Sequence, residues 1–257
     1  MLRLLTTRED LDALLDREDL VLVPTMGALH EGHLSLMRLA REHGRKVIVS
    51  IFVNPLQFGK GEDFDQYPRK LGEDMDLINE LADYLWAPSC QDIYPLKVES
   101  GLEMINANPE IADKLCGLSR QGHFDGVCTV VKTLFDFVKP TKAVFGEKDF
   151  QQLMVIEDMV QRYKLPVEII RGPIIRESCG LAMSSRNQYL SDNERKIAAN
   201  IYKYLKAVSA RDLTIEHARE IMISLGIELE YLEMHWDRLF FAGKVGQTRL
   251  IDNINKY

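Results

Sequence analysis

The sequence predicts an α/β protein: a parallel sheet covered by helices on both faces, followed by a small α+β unit. Three observations predict it. Short β-rich runs alternate with amphipathic stretches over the first two-thirds of the chain, which is the pattern of successive βαβ units. The β-rich runs are apolar on both faces, as strands lying under two helical layers must be. Beyond residue 176 the texture changes to a polar loop, two amphipathic stretches and several short strand-like pieces.

Taken in order, residues 20–23 form an apolar strand that Pro24 stops. Residues 33–43 form a helix with Leu34, Met37 and Ala40 on one face, ended by Gly44. Residues 46–53, KVIVSIFV, form a second strand rich in β-branched residues, broken by Asn54-Pro55. A helix over 71–82 precedes a short strand at 84–87. A helix over 127–138 stops at Lys139-Pro140; strand 143–145, helix 150–163 and strand 167–171 follow. With right-handed crossovers this is a Rossmann-like parallel sheet with flanking helices. Residues 177–186 read as a polar hinge loop. Ser191-Asp192-Asn193-Glu194 has the capping-box pattern and opens a helix to about residue 209. Thr214 caps another, through Leu225 to Gly226, and strand-like pieces follow at 228–233, 239–241 and 248–251. The expected division is a Rossmann-like domain over 1–176 and a small C-terminal α+β domain over 177–257.

A length of 257 residues suits one large domain or two modest ones. With 46% hydrophobic and 28% charged residues the balance is that of a globular protein, which excludes collagen-like and disordered classes. A formal net charge of -7 disfavours bulk nucleic-acid binding but leaves room for a local basic pocket. The cysteines at 90, 116, 128 and 179 show no Cys-x-x-Cys spacing, as expected of reduced thiols in the cytoplasm. The first residues lack the apolar core of a signal peptide, and the longest near-apolar run, 47–53, is far short of the roughly 20 residues a membrane span needs. A cytoplasmic protein without membrane or nucleic-acid partners is expected.

Five segments carry chemistry. In VPTMGALHEGH, residues 23–33, Gly27 and Gly32 lie where a strand turns into a helix. Such a turn lets backbone approach a ligand and points unpaired N–H groups at it. His30 and His33 add side-chain donors suited to a phosphate. Either histidine alone is more often an ordinary surface or core residue; the pair at a strand–helix junction is the informative feature. Two histidines without a nearby carboxylate or thiol cluster are poor evidence for a metal site. In VNPLQFG, residues 53–59, Asn54 and Gln57 offer neutral, directional hydrogen bonds fit for a small hydroxylated substrate. In GHFDGV, residues 122–127, His123 either faces the same crevice or supports it. In FGEKDFQQL, residues 145–153, Gly146 permits close approach, Lys148 supplies a cation for phosphate, Asp149 pairs with Lys148 or binds a hydroxyl, and Gln152 lies one turn into a helix. In LAMSSRNQYL, residues 181–190, Ser184, Ser185 and Arg186 form a set able to clamp pyrophosphate.

HxGH after the first strand and Met-Ser-Ser-Arg after the last together resemble the HIGH/KMSKS nucleotidyl-transferase superfamily. PTMGALHEGHLSL, VNPLQFG, GHFDGVCTVVKTLF, VFGEKDFQQL, LAMSSRNQYLS and the terminal TRLIDNI resemble, more closely, the pantothenate synthetase (pantoate–β-alanine ligase) family, in order and over nearly the whole chain. One departure is Arg120-Gln121, where members of that family usually have Arg-Pro; another is a somewhat shorter C-terminal region. The resemblance implies an ATP-dependent ligase that condenses pantoate with β-alanine through a pantoyl adenylate, giving pantothenate, AMP and pyrophosphate. It implies that His33, with His30, Lys148 and Arg186, is catalytic. It implies that ATP is bound by Met26, Gly27, Ala28, Leu29, His30, Glu31, Gly32 and His33; by Gly146, Glu147, Lys148 and Asp149; by Ile175 against adenine; and by Met183, Ser184, Ser185 and Arg186. Gln57, Gln152 and Asn54 are the substrate-binding residues it implies. Mg²⁺ is expected to arrive with ATP rather than on a dedicated protein site, and a homodimer is expected. The competing reading is a nucleotidyltransferase of the same superfamily acting on another small acid or a phosphorylated substrate.

Overall fold

The structure, a computed structural model, describes residues 1–59, 61–94 and 103–256. Two compact units emerge from its packing: Met1–Glu147 with Gln151–Gly172, and Lys148–Phe150 with Pro173–Tyr257. The three residues Lys148–Phe150 thus pack with the second unit although they interrupt the sequence of the first.

The first unit begins with β1 (Arg3–Leu5), α1 (Arg8–Leu14), β2 (Leu20–Thr25), α2 (Glu31–His43), β3 (Lys46–Ile51), α3 (Leu71–Ile78) and β4 (Tyr84–Trp86). Three single turns, α4 (Cys90–Ile93), α5 (Pro109–Ala112) and α6 (Cys116–Ser119), lead to the long α7 (His123–Val138). Then come β5 (Lys142–Gly146), α8 (Phe150–Arg162) and β6 (Glu168–Gly172). The strands make one sheet in the order β1-β4-β3-β2-β5-β6, and every pairing in it is parallel. This is the expected Rossmann-like architecture.

β2 runs through Pro24 to Thr25 instead of stopping before the proline. It pairs with β5 only at Val21 and Leu22, so Pro24 lies in a stretch with β3 as its partner strand. There a missing N–H need not interrupt a second ladder. β1 and α1 carry too little periodicity to be read locally; β1 exists because Arg3, Leu4 and Leu5 align beside β4 at the sheet edge. α3 is shorter than its pattern, ending at Ile78, and α7 starts four residues earlier than expected, at His123. One face of the sheet packs on α2 through a core of Val21, Val23, Met37, Val47, Val49 and Leu85.

The second unit holds α9 (Asp192–Ser209), α10 (Ile215–Ser224) and an antiparallel sheet of β7 (Ile227–His235), β8 (Arg238–Val245) and β9 (Thr248–Asn255), in that order. Ser191 caps α9 in a full capping box with Glu194, and Thr214 caps α10. All three strands are longer than the apolar pieces that announced them, because ladder pairing extends to polar residues at their ends. Trp236 and Asp237, both at positive φ (48° and 54°), make the two-residue turn joining β7 to β8. That backbone twist is the one hairpins favour, although the residue types are unusual for it.

Met37 on α2 is fully buried. Met37→Ala should lower the unfolding free energy by about 2–5 kcal/mol. Urea denaturation checks this, and a change within error would refute the assignment of this cluster as the core.

Candidate active site

The strand order places the chain reversal between β2 and β5. In open α/β sheets the crevice at that point, outside the carboxyl ends of the strands, is where ligands bind. β2 ends there at Thr25, and β5 ends there at Gly146.

The turn after β2 is held from several sides. The Thr25 hydroxyl donates to the Ser50 carbonyl at 2.9 Å and accepts from the Gly27 N–H at 3.2 Å. Gly27 and Ala28 both take left-handed conformations, φ 83° and 51°. For alanine this costs roughly 1–2 kcal/mol. Asp74 of α3 offsets it: its Oδ2 accepts from the Ala28 N–H at 3.0 Å and its Oδ1 from the Leu29 N–H at 2.7 Å. A Cβ on Gly27 would stand 3.0 Å from both Asp74 Oδ2 and Ile51 Cγ2, a tight fit at a position whose φ already favours glycine. Asp74 is only 2% exposed. Burial pushes its carboxyl above the ordinary aspartate range, against the pull of the two backbone N–H groups.

α2 begins at Glu31, not at His33, so the histidines cap the helix. His30 Nδ1 accepts from the Gly32 N–H at 3.1 Å, and His33 Nδ1 accepts from the His30 N–H at 3.3 Å. This is a capping box built from imidazoles, with ring centroids 4.1 Å apart. A neutral ring whose Nδ1 accepts carries its proton on Nε2. Both rings therefore present Nε2–H donors where the helix dipole favours negative charge. Glu31 lies on the exposed side and pairs with Arg38.

Beside this turn, a 3₁₀ turn over Pro55–Gln57 follows β3. Asn54 is 1% exposed. Its Nδ2 donates to Gln57 Oε1 at 3.1 Å and to the Gly126 carbonyl at 3.0 Å. Its Oδ1 accepts from the Tyr94 hydroxyl at 2.8 Å and from the Leu56 N–H at 3.2 Å. The donors and acceptor positions of Asn54 are thus engaged within the protein. Burial pushes the Tyr94 phenol up, keeping it a donor. Gln57 Nε2 in turn lies 3.2 Å from Met26 Sδ. A Cβ on Gly126 would fall 2.3 Å from the Leu56 carbonyl oxygen, so α7 approaches this turn as closely as it does only because residue 126 is glycine.

His123 is 7% exposed and supports the same turn. Its Nδ1 is 2.7 Å from the Gln57 carbonyl oxygen and its Nε2 is 3.0 Å from Arg120 Nη1. A carbonyl only accepts and a guanidinium only donates, so this ring is neutral with its proton on Nδ1. Arg120 also reaches the Gln57 carbonyl at 3.3 Å and grips Glu62 at 2.7 and 2.6 Å. Burial raises the Glu62 carboxyl, but the bonds from Arg120 outweigh it and hold the group below its ordinary value.

Gly146 ends β5, and Glu147 lies in the turn after it. Gln152 is half-buried on α8, while its neighbour Gln151 holds the Ile111 and Lys114 carbonyls and the Cys116 N–H. Within the second unit, Lys148 Nζ lies 3.6 Å from Asp149 Oδ2, as its sequence position suggests. The Met183 N–H donates to the Ile175 carbonyl at 2.9 Å. Ser184 caps a 3₁₀ turn over Ser185–Tyr189 by accepting from the Arg186 N–H at 3.3 Å.

Thr25, Asp74, Tyr94, Arg120 and Gly126 were not singled out by the sequence. Each sits in an ordinary strand, helix or loop context, and only tertiary contact reveals its partners. The Arg120-Gln121 pair carried the one usable hint. Arg120 makes the contacts above and Gln121 is exposed.

Comparison with known proteins bears on the whole chain. The family model described as pantoate-beta-alanine ligase matches residues 3–255. The pantothenate synthetase of Syntrophomonas wolfei is 45% identical over 92% of this chain and 91% of its own. That of Thermoanaerobacter pseudethanolicus is 46% identical over 91% and 89%. The crystal structure of pantothenate synthetase from Thermus thermophilus superposes with a TM-score of 0.91 at 39% identity, covering 99% of both chains. A pantoate-beta-alanine ligase from Francisella tularensis, complexed with beta-gamma ATP and beta-alanine, gives 0.91 at 38% identity over 100% of this chain and 98% of its own.

The raised Asp74 carboxyl makes a signed prediction. The native state binds its proton more tightly than the unfolded state, so its contribution to stability falls as pH rises from near 3.8 through the raised folded value. The difference in unfolding free energy between wild type and Asp74→Asn should therefore shrink with rising pH across the acid range. A difference that grows instead would refute it.

Proposed function

The chain belongs to the pantoate-beta-alanine ligase family, and from that premise we propose how its residues join pantoate to β-alanine with ATP as the activating reagent. A carboxylate is a poor acyl donor because oxide would have to leave. In the first step a pantoate carboxylate oxygen attacks the α-phosphorus of ATP. The bond from that phosphorus to its β-bridging oxygen breaks, and pyrophosphate leaves with the electron pair. In the second step the β-alanine amine attacks the acyl carbon of the pantoyl adenylate. The acyl carbon–oxygen bond to AMP breaks, the amine loses a proton, and pantothenate and AMP are released.

The observation that carries the reading is the contact of Gln57 Nε2 with Met26 Sδ at 3.2 Å. It sets a neutral amide, fit for a polyol acid, beside a turn and helix end fit for phosphate. ATP would lie on residues 26–33 and 146–149, with Ile175 against adenine and residues 183–186 on the phosphates. Gln57 and Gln152 would hold pantoate. Asn54, whose bonds are internal, would serve by fixing the direction of Gln57. The Nε2–H of His33 would donate to charge developing on the phosphates, with His30, Lys148 and Arg186 stabilising the departing pyrophosphate. Mg²⁺ would accompany ATP. Its oxygen ligands would be mainly phosphates and water. A cytoplasmic homodimer is the state proposed for the enzyme, on family likeness; among the described residues no helix is long and apolar enough to cross a membrane.

The test is product analysis. Enzyme with ATP, Mg²⁺, pantoate and β-alanine should release AMP in an amount that depends on both organic substrates. Release of ADP, or of AMP without pantoate, would overturn the reading. Two substitutions separate the roles. His33→Ala should slow pyrophosphate formation at least about 10²-fold while leaving the circular dichroism spectrum intact. Gln57→Ala should raise the KM for pantoate about tenfold or more with little change for ATP. An ATP-only defect in the second variant would remove Gln57 from the pantoate site.

A further inference from the structure

β9 buries two polar residues in succession: Asp252 is 4% exposed and Asn253 1%. Neighbours on a strand point to opposite faces of the sheet, so polar partners cover both faces at this point. A buried carboxylate, guanidinium and carboxamide contribute little to stability, since apolar residues of similar volume do as well or better. Their partners suggest another use.

On one face, Asp252 accepts from both terminal nitrogens of Arg176, at 2.6 and 2.8 Å. The Arg176 guanidinium lies 3.6 Å over the Tyr202 ring of α9 and donates to the Gly180 carbonyl at 3.1 Å. Arg176 heads a small hairpin, bridged to Ala182 and closed by the Met183-to-Ile175 bond. Fixing Arg176 therefore fixes Ile175 and Met183, and Ser184 follows directly. On the other face, Asn253 Nδ2 donates to the Lys148 carbonyl at 2.9 Å, while its Oδ1 accepts from Arg238. Arg238 lies 4.0 Å over the Phe150 ring, which also meets Phe240 with centroids 6.0 Å apart. The carbonyl of Lys148 and the ring two residues further on are thus held together. All of these groups belong to one compact unit.

We propose that Asp252 and Asn253 are positioning residues for adenylate formation, one setting the hairpin that leads to Ser184–Arg186 and the other setting the backbone of Lys148. The proposal rests on the reading that these two segments serve ATP. It gives a role to the TRLIDN stretch, whose Asn253 meets Lys148 through the backbone carbonyl. Two consecutive side chains give two distant loops a common reference, so Lys148 and the Ser-Ser-Arg set keep a fixed spacing.

The test separates the half-reactions. Asn253→Asp keeps the acceptor for Arg238 but removes the donor to Lys148; Asp252→Asn keeps shape but removes the charge facing Arg176. In each folded variant, ATP–pyrophosphate exchange with pantoate should fall by about 10–100-fold and the KM for ATP should rise. Conversion of supplied pantoyl adenylate and β-alanine to pantothenate should stay within about threefold of wild type. A purely structural role would lower both half-reactions together, and that result would overturn the proposal. So would folded variants with unchanged exchange. Asn253→Ala is the second route if Asn253→Asp does not fold, and failure of all three to fold would show the pair to be structural. Absence of exchange in the wild type would instead overturn the ligase reading itself.

Discussion

Two backbone N–H groups on one buried carboxylate set the geometry of the turn between β2 and α2. The chain must leave β2, reverse within the five residues 26–30 and enter α2 with its N-terminus at the end of the sheet. That path forces Gly27 and Ala28 into left-handed conformations, which an alanine does not adopt unaided. Asp74 makes the path favourable by accepting from Ala28 and Leu29. Everything downstream inherits the result: the orientation of α2, the adjacent His30 and His33 rings at its cap, and the position of Met26 against Gln57. The histidines accept on Nδ1 to close the helix end, and that acceptance leaves their protons on Nε2. Helix capping and the choice of ring tautomer are therefore one arrangement, not two.

The adjoining turn is positioned by a different logic. Gln57 carries no charge, and its neighbours avoid putting a bare charge beside it. Asn54, Tyr94 and the Gly126 carbonyl orient its side chain through neutral hydrogen bonds. Its carbonyl is held by neutral His123 and by Arg120, whose charge is matched by Glu62. A small hydroxylated acid placed there would meet directional donors and acceptors without a competing cation to draw its carboxylate away from the α-phosphorus. In the second unit, by contrast, charge is buried deliberately: Arg176 with Asp252, and Arg238 beside Asn253. Burial pushes the Asp252 carboxyl up even with Arg176 beside it, a cost consistent with a demand on geometry beyond folding.

The α/β alternation and the smaller strand-bearing region after it were readable in the sequence because each rests on local pattern. β-branched runs, helical periodicity, the Ser191 capping box and glycine at strand ends all act within a few residues. Family motifs extended that reading to substrate and reaction. What local pattern could not supply was pairing. β1 has three residues and no periodicity, and it exists through β4. β7, β8 and β9 reach past their apolar centres because ladders continue through polar residues. Pro24 looked like a stop, and it is tolerated because β2 has by then lost one of its two partners. The start of α7 at His123 was hidden for a similar reason: its first turn, His123-Phe124-Asp125-Gly126, shows no helical periodicity, and His123 and Gly126 meet the Gln57 turn.

By itself, then, the sequence determined the fold class, the kinds and order of most elements and the family, since propensity and motif are properties of neighbours along the chain. Tertiary structure alone decided which groups hold those side chains in place. Asp74 lies far along the chain from Ala28, as does Asn253 from Lys148, and neither looks unusual among its sequence neighbours. A hydrogen bond across such separations depends on where the sheet and helices bring the backbone, and that is fixed only when the whole core packs.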